Sequence, residues 1–303
     1  MFIKLFLLFI TQMGDPTYLR TSEDHQQMQF YAEHYEKFTP QGEIPQTLHF
    51  IWVGGSALPA ESRKNIAKWV RLHPGWKVKL WSDRKRATPH PQVEVQLLEE
   101  LPRLGNLFAA SDNEGERAAL SAIEILEREG GVYLDCDTIP KKNLEKLHAT
   151  HTFYTGLAPL STSLLSSSVQ ISPHIIGAAA HHPILQKTLV NIEESWNPAQ
   201  FEGQSFDAIY YRTKHHTLLP FEKAIREHLG PHDRIYPAET FTKNFLLHEE
   251  KKLWLPDEDR FAKSILQKLL AQEKHLKCLL SILALFVCIQ LILLVRNGRK
   301  RAD

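Results

Sequence analysis

The most constraining feature of this 303-residue sequence is a long helical pattern that runs through a glycine pair directly into an apolar strand. Ser111 and Glu114 have the spacing of a capping box, and apolar residues recur at helical spacing over 111–129. Gly130-Gly131 then predicts the end of the helix. Residues 132–137 follow as a strand. A helix that delivers the chain straight into an apolar strand is typical of α/β proteins, so we expect that fold class.

The sequence before this helix alternates in the same way. Residues 46–53 are rich in β-forming side chains and stop at Gly54-Gly55. Residues 60–72 have a helical pattern, and residues 77–81 predict a further strand. A strand, a helix and a strand in this order predict a parallel βαβ unit and therefore a mostly parallel sheet.

Composition excludes some functions. Lys and Arg total 36 and Asp and Glu total 35, for a formal net charge of +1, and the two signs are mixed along the chain. Because no basic face is clustered, we expect no nucleic-acid partner. The three cysteines, two of them inside an apolar run, do not indicate a disulfide framework and lack zinc-ligand spacing.

Asp135 and Asp137 are the first candidates for chemistry. On a strand over 132–137 their carboxylates and Tyr133 would point to one face, because side chains alternate along a strand. Two carboxylates at a strand end form an oxygen-rich pocket suited to Mg²⁺ or Mn²⁺. Such an ion can bridge the oxygens of a diphosphate. The alternative is a pair of solvated acids at a strand end.

Three sequence blocks resemble the DXD-containing glycosyltransferases, the family of the fungal initiating mannosyltransferases and the catalytic domains of the large clostridial glucosylating toxins. They are IPQTLHFIWVGG at 44–55, HPGWKVKLWSD at 73–83 and ILEREGGVYLDCD at 125–137. The resemblance implies a GT-A type fold, a mixed and mostly parallel sheet flanked by helices. It also implies metal-dependent transfer, with retention, of a hexose from a UDP- or GDP-linked sugar to a hydroxyl acceptor.

The resemblance also implies roles for individual residues. Trp52 would stack on the nucleobase, and Asp83 would lie near the base or ribose. Asp135 would face the ribose and the metal, Asp137 would bind the metal directly, and His248 is the candidate third ligand. Trp254 would either close over the diphosphate or only seal the domain against the segment that follows it.

One position departs from the family pattern. The family places an Asp and an Arg, three residues apart, on the helix before the glycine pair to hold the donor sugar, and this chain has Ala119 and Ala122 there. Arg117, with Asp112 or Glu114, lies one helical turn earlier and could act instead. If it does not, either the donor sugar differs or the chain is a membrane-tethered scaffold that binds a nucleotide sugar with weak transfer or none. A metal-dependent phosphohydrolase is a third hypothesis.

The two ends of the chain differ from the middle. Residues 278–295 are an uncharged apolar run, which predicts a transmembrane helix. We therefore expect a single-pass membrane protein with its catalytic domain in the cytosol. The sequence leaves a protein, a lipid or a glycan open as the acceptor. The predicted segments are an N-terminal apolar segment and helix at 1–43, a glycosyltransferase domain at 44–255, a charged helical stalk at 256–277, the span at 278–295 and a basic tail at 296–303. A signal peptide is an alternative interpretation of the N-terminus.

Overall fold

The computed structural model describes residues 9–98, 101–160, 167–197 and 206–248, all of which belong to one compact unit, Met1–Lys251. The predicted stalk, membrane span and basic tail lie outside the described residues, as does Trp254. Within the described ranges, none of the helices has the length and apolar character needed to cross a bilayer.

The predicted βαβ unit is confirmed. Strand β1 (Thr47–Ile51) leads into helix α2 (Ala60–Leu72) and then into strand β2 (Lys77–Ser82). The two strands are parallel, with Thr47 opposite Lys77 and Ile51 opposite Trp81. Strand β3 (Val93–Leu97) extends the parallel sheet from β2. Helix α1 (Ser22–Glu36) precedes the unit.

The central sheet of the described residues is mixed, as expected. Strand β4 (Gly131–Leu134) pairs in parallel with β1, and strand β7 (Ile171–Ala178) pairs antiparallel with β4. Strand β6 (Phe153–Leu157) is antiparallel to β7 and parallel to strand β8 (Asp233–Tyr236). The strand order is β3-β2-β1-β4-β7-β6-β8, in which β4 joins β1 on the side away from β2.

Helices cover the sheet, and its two faces are buried in separate apolar clusters. Leu48 and Phe50 of β1 pack on one face, whereas Ile51 packs on the other, as the alternation of side chains along a strand requires. The other helices are α3 (Gly105–Ala110), α4 (Glu114–Glu129), α5 (Glu145–His148), α6 (Pro183–Ser195), α7 (Phe206–Thr213), α8 (Leu219–His228) and α9 (Ala238–Asn244).

The predicted capping box is wrong, although the helix is present. Helix α4 begins at Glu114 because the Asn113 side chain caps it, accepting a hydrogen bond from the Glu116 backbone N–H at 2.9 Å. Ser111 lies outside α4 in an extended conformation and directs its hydroxyl to the Glu116 carboxylate instead. Asn is as good a cap as Ser, so local spacing does not decide between the two.

The glycine pair ends α4 as predicted, and both residues have positive φ, +63° at Gly130 and +102° at Gly131. A Cβ on Gly131 would lie 2.7 Å from the Thr47 carbonyl oxygen and 2.8 Å from the His49 ring. Only glycine combines this backbone conformation with such close approach to β1.

The strand predicted over 132–137 is too long. Strand β4 ends at Leu134, and Asp135 to Asp137 form a turn closed by a 3.0 Å hydrogen bond from the Thr138 N–H to the Asp135 carbonyl. Strand β5 (Thr138–Pro140) follows and pairs antiparallel with strand β9 (Leu246–His248), with Thr138 opposite His248. The two carboxylates are therefore brought together by a turn and not by strand alternation.

Candidate metal and donor site

The predicted site residues gather at one edge of the sheet. Trp52, Asp83 and Asp135 each come directly after a strand end, at Ile51, Ser82 and Leu134. These strands are parallel, so their carboxyl ends share an edge. At this edge the strand order changes direction: β2 lies on one side of β1 and β4 lies on its other side. In open α/β sheets, ligands bind in the crevice at such a switch point.

Asp135, Asp137 and His248 form a three-residue group at this edge. The His248 Nε2 lies 3.1 Å from an oxygen of Asp135 and 3.0 Å from an oxygen of Asp137. The three ligand atoms are all within 4.8 Å of one another. Pairing of β5 with β9 brings His248 here across more than a hundred residues of sequence. The predicted grouping of these three residues therefore agrees with their positions.

The electrostatics of the group suit a cation. Burial alone would lower the pKa of His248, but hydrogen bonds to Asp135 and Asp137, together with their charges, raise that pKa to about 10. The two carboxylates therefore stabilise a positive charge placed between them. Oxygen ligands with one imidazole nitrogen fit Mn²⁺ or Mg²⁺, so the donor set fits the implied metal.

Neighbouring side chains hold the two aspartates. The Tyr133 hydroxyl donates to Asp135 at 2.6 Å, and burial followed by the Asp135 charge raises the pKa of that hydroxyl. The Cys136 thiol is buried and donates to the Ile51 carbonyl at 3.4 Å, with its pKa also raised by burial. Cys136 thus anchors the middle of the triplet to β1, while the aspartates on either side face His248.

His174 of β7 lies against this group and was not predicted from the sequence. Its ring stacks on His248 with centroids 4.7 Å apart and an interplanar angle of 14°. Its carbonyl accepts the Asp135 N–H at 3.1 Å. Burial, with the nearby His248, lowers the pKa of His174 to about 3, so the ring is neutral. Nothing in the local sequence distinguishes His174 from any other histidine in a strand, so its position beside His248 could not be predicted.

Asp83 organises the loop after β1. Its carboxylate accepts the Gly54 N–H at 3.1 Å, and Arg84 and Arg86 pair with it at 3.0 and 3.7 Å. Burial alone would raise the pKa of Asp83, but the hydrogen bonds from Arg84 and Gly54 outweigh it and lower that pKa. Trp52 is half-buried, with its indole N–H donating to the Ser56 carbonyl at 2.9 Å.

Arg86 is a second residue that sequence reasoning missed. Its guanidinium donates to the carbonyls of Gly54 at 2.5 Å and Ser56 at 2.7 Å, and to the Ser82 hydroxyl at 2.6 Å. It therefore clamps the loop after β1 to the end of β2. Its spacing of three residues from Asp83 is the one local signal that could have found it.

The residues predicted to hold the donor sugar contact different partners. Glu114 packs its carboxylate against Gly54, where a Cβ would overlap it, and so reaches the strand edge. Arg117 instead donates to the Ser111 carbonyl at 2.7 Å and lies over the Phe108 ring. No ion pair of Arg117 with Asp112 or Glu114 is found within the described residues.

A different arginine pairs with Asp112. Arg212 of α7 forms an ion pair with the Asp112 carboxylate and lies 3.8 Å from the buried Glu116 carboxylate. The Glu116 carboxylate also accepts from the His216 ring at 2.8 Å. This polar cluster joins the start of α4 to α7 and to the π-helix that follows it, Lys214–Leu218. Because Arg212 lies a hundred residues from Asp112, sequence spacing could not predict the pair.

Part of the chain matches a known protein family. Residues 59–154 match the family described as a glycosyltransferase sugar-binding region containing the DXD motif. That match includes Asp135 and Asp137. This part of the chain, about a third of its length, is therefore similar to the DXD-containing glycosyltransferases.

The chain is similar to viral and fungal proteins. It is 25% identical over 227 residues to an uncharacterized glycosyltransferase of Acanthamoeba polyphaga mimivirus, an alignment of 70% of this chain and 84% of the viral protein. It is 26% identical over 150 residues to a mannosyl phosphorylinositol ceramide synthase of Saccharomyces cerevisiae, covering 50% of this chain and 35% of the yeast protein. The chain thus spans most of the viral relative and about a third of the yeast one.

Among solved structures, the chain is similar to the PaToxG glycosyltransferase, with a TM-score of 0.46 and 15% identity. That similarity covers 74% of this chain and 80% of the other.

Proposed function

We propose that this protein is a metal-dependent glycosyltransferase that moves a hexose from a UDP- or GDP-linked sugar to a hydroxyl acceptor with retention at the anomeric carbon. The observation that carries the proposal is the convergence of Asp135, Asp137 and His248 beside Trp52 and Asp83 at the switch point of the sheet. A diphosphate needs charge neutralisation, and a nucleobase needs a flat apolar surface. These five residues offer both.

The residues divide the work as follows. Asp135, Asp137 and His248 would hold Mn²⁺ or Mg²⁺, which when bound neutralises the charge that grows on the leaving nucleotide diphosphate. The Trp52 ring would stack on the base, and the Tyr133 hydroxyl keeps one Asp135 oxygen occupied, so that its other oxygen faces His248. A retaining reaction without an enzymic nucleophile leaves the departing phosphate oxygen to take the acceptor's proton on the same face.

The acceptor and the setting are part of the proposal. Proteins, lipids and glycans all supply hydroxyl acceptors, and the yeast relative is named for a lipid product. The apolar run at 278–295 supports a membrane-anchored protein with its catalytic domain in the cytosol, which would place a lipid or membrane-bound acceptor within reach. We also propose the segment boundaries predicted from the sequence, which are 1–43, 44–255, 256–277, 278–295 and 296–303. Trp254 is proposed to close over the diphosphate.

Two observations favour a second candidate, a nucleotide-sugar-binding scaffold with little or no transfer. Ala122 is buried in the core, with 3% of its surface exposed, and so offers nothing to a sugar. Arg117 is held by the Ser111 carbonyl and the Phe108 ring, away from an acidic partner. Glu114 packs against Gly54 instead of pairing with Arg117 in the described part of the chain.

One experiment separates these candidates. The full-length protein is heated with Mn²⁺ and a panel of UDP- and GDP-sugars, and nucleotide diphosphate release is then measured for any donor that raises Tm. We expect one donor to raise Tm only when Mn²⁺ is present, because binding to the folded state stabilises it. We also expect that donor to be turned over.

Asp137→Ala is the decisive variant, and Glu227→Ala, an exposed acid on α8, is its matched control. Asp137→Ala should abolish both the Mn²⁺-dependent shift and turnover, while Glu227→Ala should change neither. Binding without release for every donor would support the scaffold. Turnover that survives Asp137→Ala would refute the metal site, and phosphate release from simple esters without need of Trp52 would indicate a phosphohydrolase.

A further inference from the structure

His248 has limited backbone support for a metal ligand. It is the last residue of β9, which spans three residues and pairs with β5, itself three residues long. Neither strand belongs to the central sheet. An imidazole binds a metal in the plane of its ring, so the ring must be held in one orientation. The backbone of a short strand at its end does not supply that restraint.

His174 supplies a rigid surface against the His248 ring. It lies on β7, inside the central sheet, and is 7% exposed. The two rings are stacked nearly parallel, at 14° and 4.7 Å. The Ser172 hydroxyl hydrogen-bonds the His174 Nδ1, which fixes the ring on its own strand.

The same residue reaches a second member of the group through its backbone. The Asp135 N–H donates to the His174 carbonyl at 3.1 Å, so β7 holds Asp135 and His248 at once. The His174 Nε2 is buried without a hydrogen-bond partner among the described residues. Such an atom lowers stability, and an apolar ring of similar size would avoid that cost. The Nε2 atom therefore adds nothing to stability at this position, and what His174 offers to His248 is the face of its ring.

We propose that His174 is a positioning residue that holds the His248 ring in the orientation needed to bind the metal. This inference rests on the metal site proposed above. His174 is not itself a ligand: the three atoms that converge belong to Asp135, Asp137 and His248. Groups that orient metal ligands change metal affinity by about 10- to 100-fold when they are removed. The flat face of the ring, and not the buried Nε2, contacts His248 and performs this role.

The test compares His174→Leu with His174→Phe in the full-length protein. Both substitutions keep the core filled and remove the buried Nε2 together with the Ser172 hydrogen bond, but only Phe keeps a flat ring. Mn²⁺ binding is measured from the electron paramagnetic resonance signal of free Mn²⁺. We expect His174→Leu to weaken binding by about 10- to 100-fold and His174→Phe to stay within about threefold of wild type. In a transfer assay, His174→Leu should raise the KM for Mn²⁺ and leave kcat at saturating Mn²⁺ nearly unchanged.

The controls separate positioning from loss of stability. His148→Leu changes another buried histidine that contacts an aromatic ring, Trp76 at 4.2 Å, and should lower the metal-free Tm without changing Mn²⁺ affinity. If His174→Leu binds Mn²⁺ as wild type does, or if His174→Phe is as weak as His174→Leu, the proposed role is refuted while the metal site stands. A wild-type protein that binds no Mn²⁺ refutes the metal site and this role together.

Discussion

We expect Glu222 to make the folded state less stable as the pH rises, and a single substitution at this residue tests that expectation. This residue of α8 is 5% exposed, and its carboxylate accepts the Ile171 N–H, at the start of β7, at 2.7 Å. Burial raises the pKa of Glu222 from 4.5 to about 7. The folded protein therefore binds a proton between these two values that the unfolded chain releases.

The sign follows from this difference in proton binding. Because the pKa of Glu222 is raised in the folded state, its protonated form stabilises the fold fully below pH 4.5, and that stability is lost as the pH rises through 7. The two pKa values of Glu222 differ by about 2.5. Because one pKa unit corresponds to about 1.36 kcal/mol, the folded state loses about 3 kcal/mol of stability by pH 8. Glu222→Gln removes the titration, and its amide oxygen can still accept the Ile171 N–H.

The assay is urea unfolding of wild type and Glu222→Gln, followed by tryptophan fluorescence at pH 5 and pH 8. The variant should gain about 2 to 3 kcal/mol relative to wild type between the two pH values. Glu227→Gln, an exposed neighbour on the same helix, should show no such gain. A stability difference between Glu222→Gln and wild type that is the same at both pH values would refute the reasoning.

Two further substitutions test how the site is built. Gly131→Ala should destabilise the fold by about 3 kcal/mol, through backbone strain and overlap with the Thr47 carbonyl. Gly75→Ala, with positive φ but open space, should cost about 1 kcal/mol, so equal losses in urea unfolding would refute the overlap. Arg86→Met should cost about 3 kcal/mol and weaken nucleotide binding measured by calorimetry, since three hydrogen bonds that order the loop after β1 are lost. Arg84→Met, at a half-exposed residue, is its control and should leave the stability close to that of wild type, because exposed ion pairs contribute little.

Much of the fold could be predicted because its signals are local. The parallel unit of β1, α2 and β2 follows from apolar periodicity, and helix α2 has the predicted bounds, Ala60–Leu72. The end of α4 at the glycine pair could be predicted because positive φ and close packing leave few other residues possible there. The start of α4 was not, because Ser111 and Asn113 are equally good caps and the fold uses Ser111 to bind Glu116.

For the candidate site, the sequence by itself determined which side chains are available at the strand ends: Trp52, Asp83, Asp135 and Asp137. Tertiary structure alone decided how they are arranged. The turn after β4 and the pairing of β5 with β9 place His248 between the two aspartates, and β7 brings His174 against its ring. Arg212 likewise replaces Arg117 as the partner of Asp112. The reason is physical: strand-end positions follow from short-range periodicity, whereas contacts across a hundred residues depend on which strands and helices pack together.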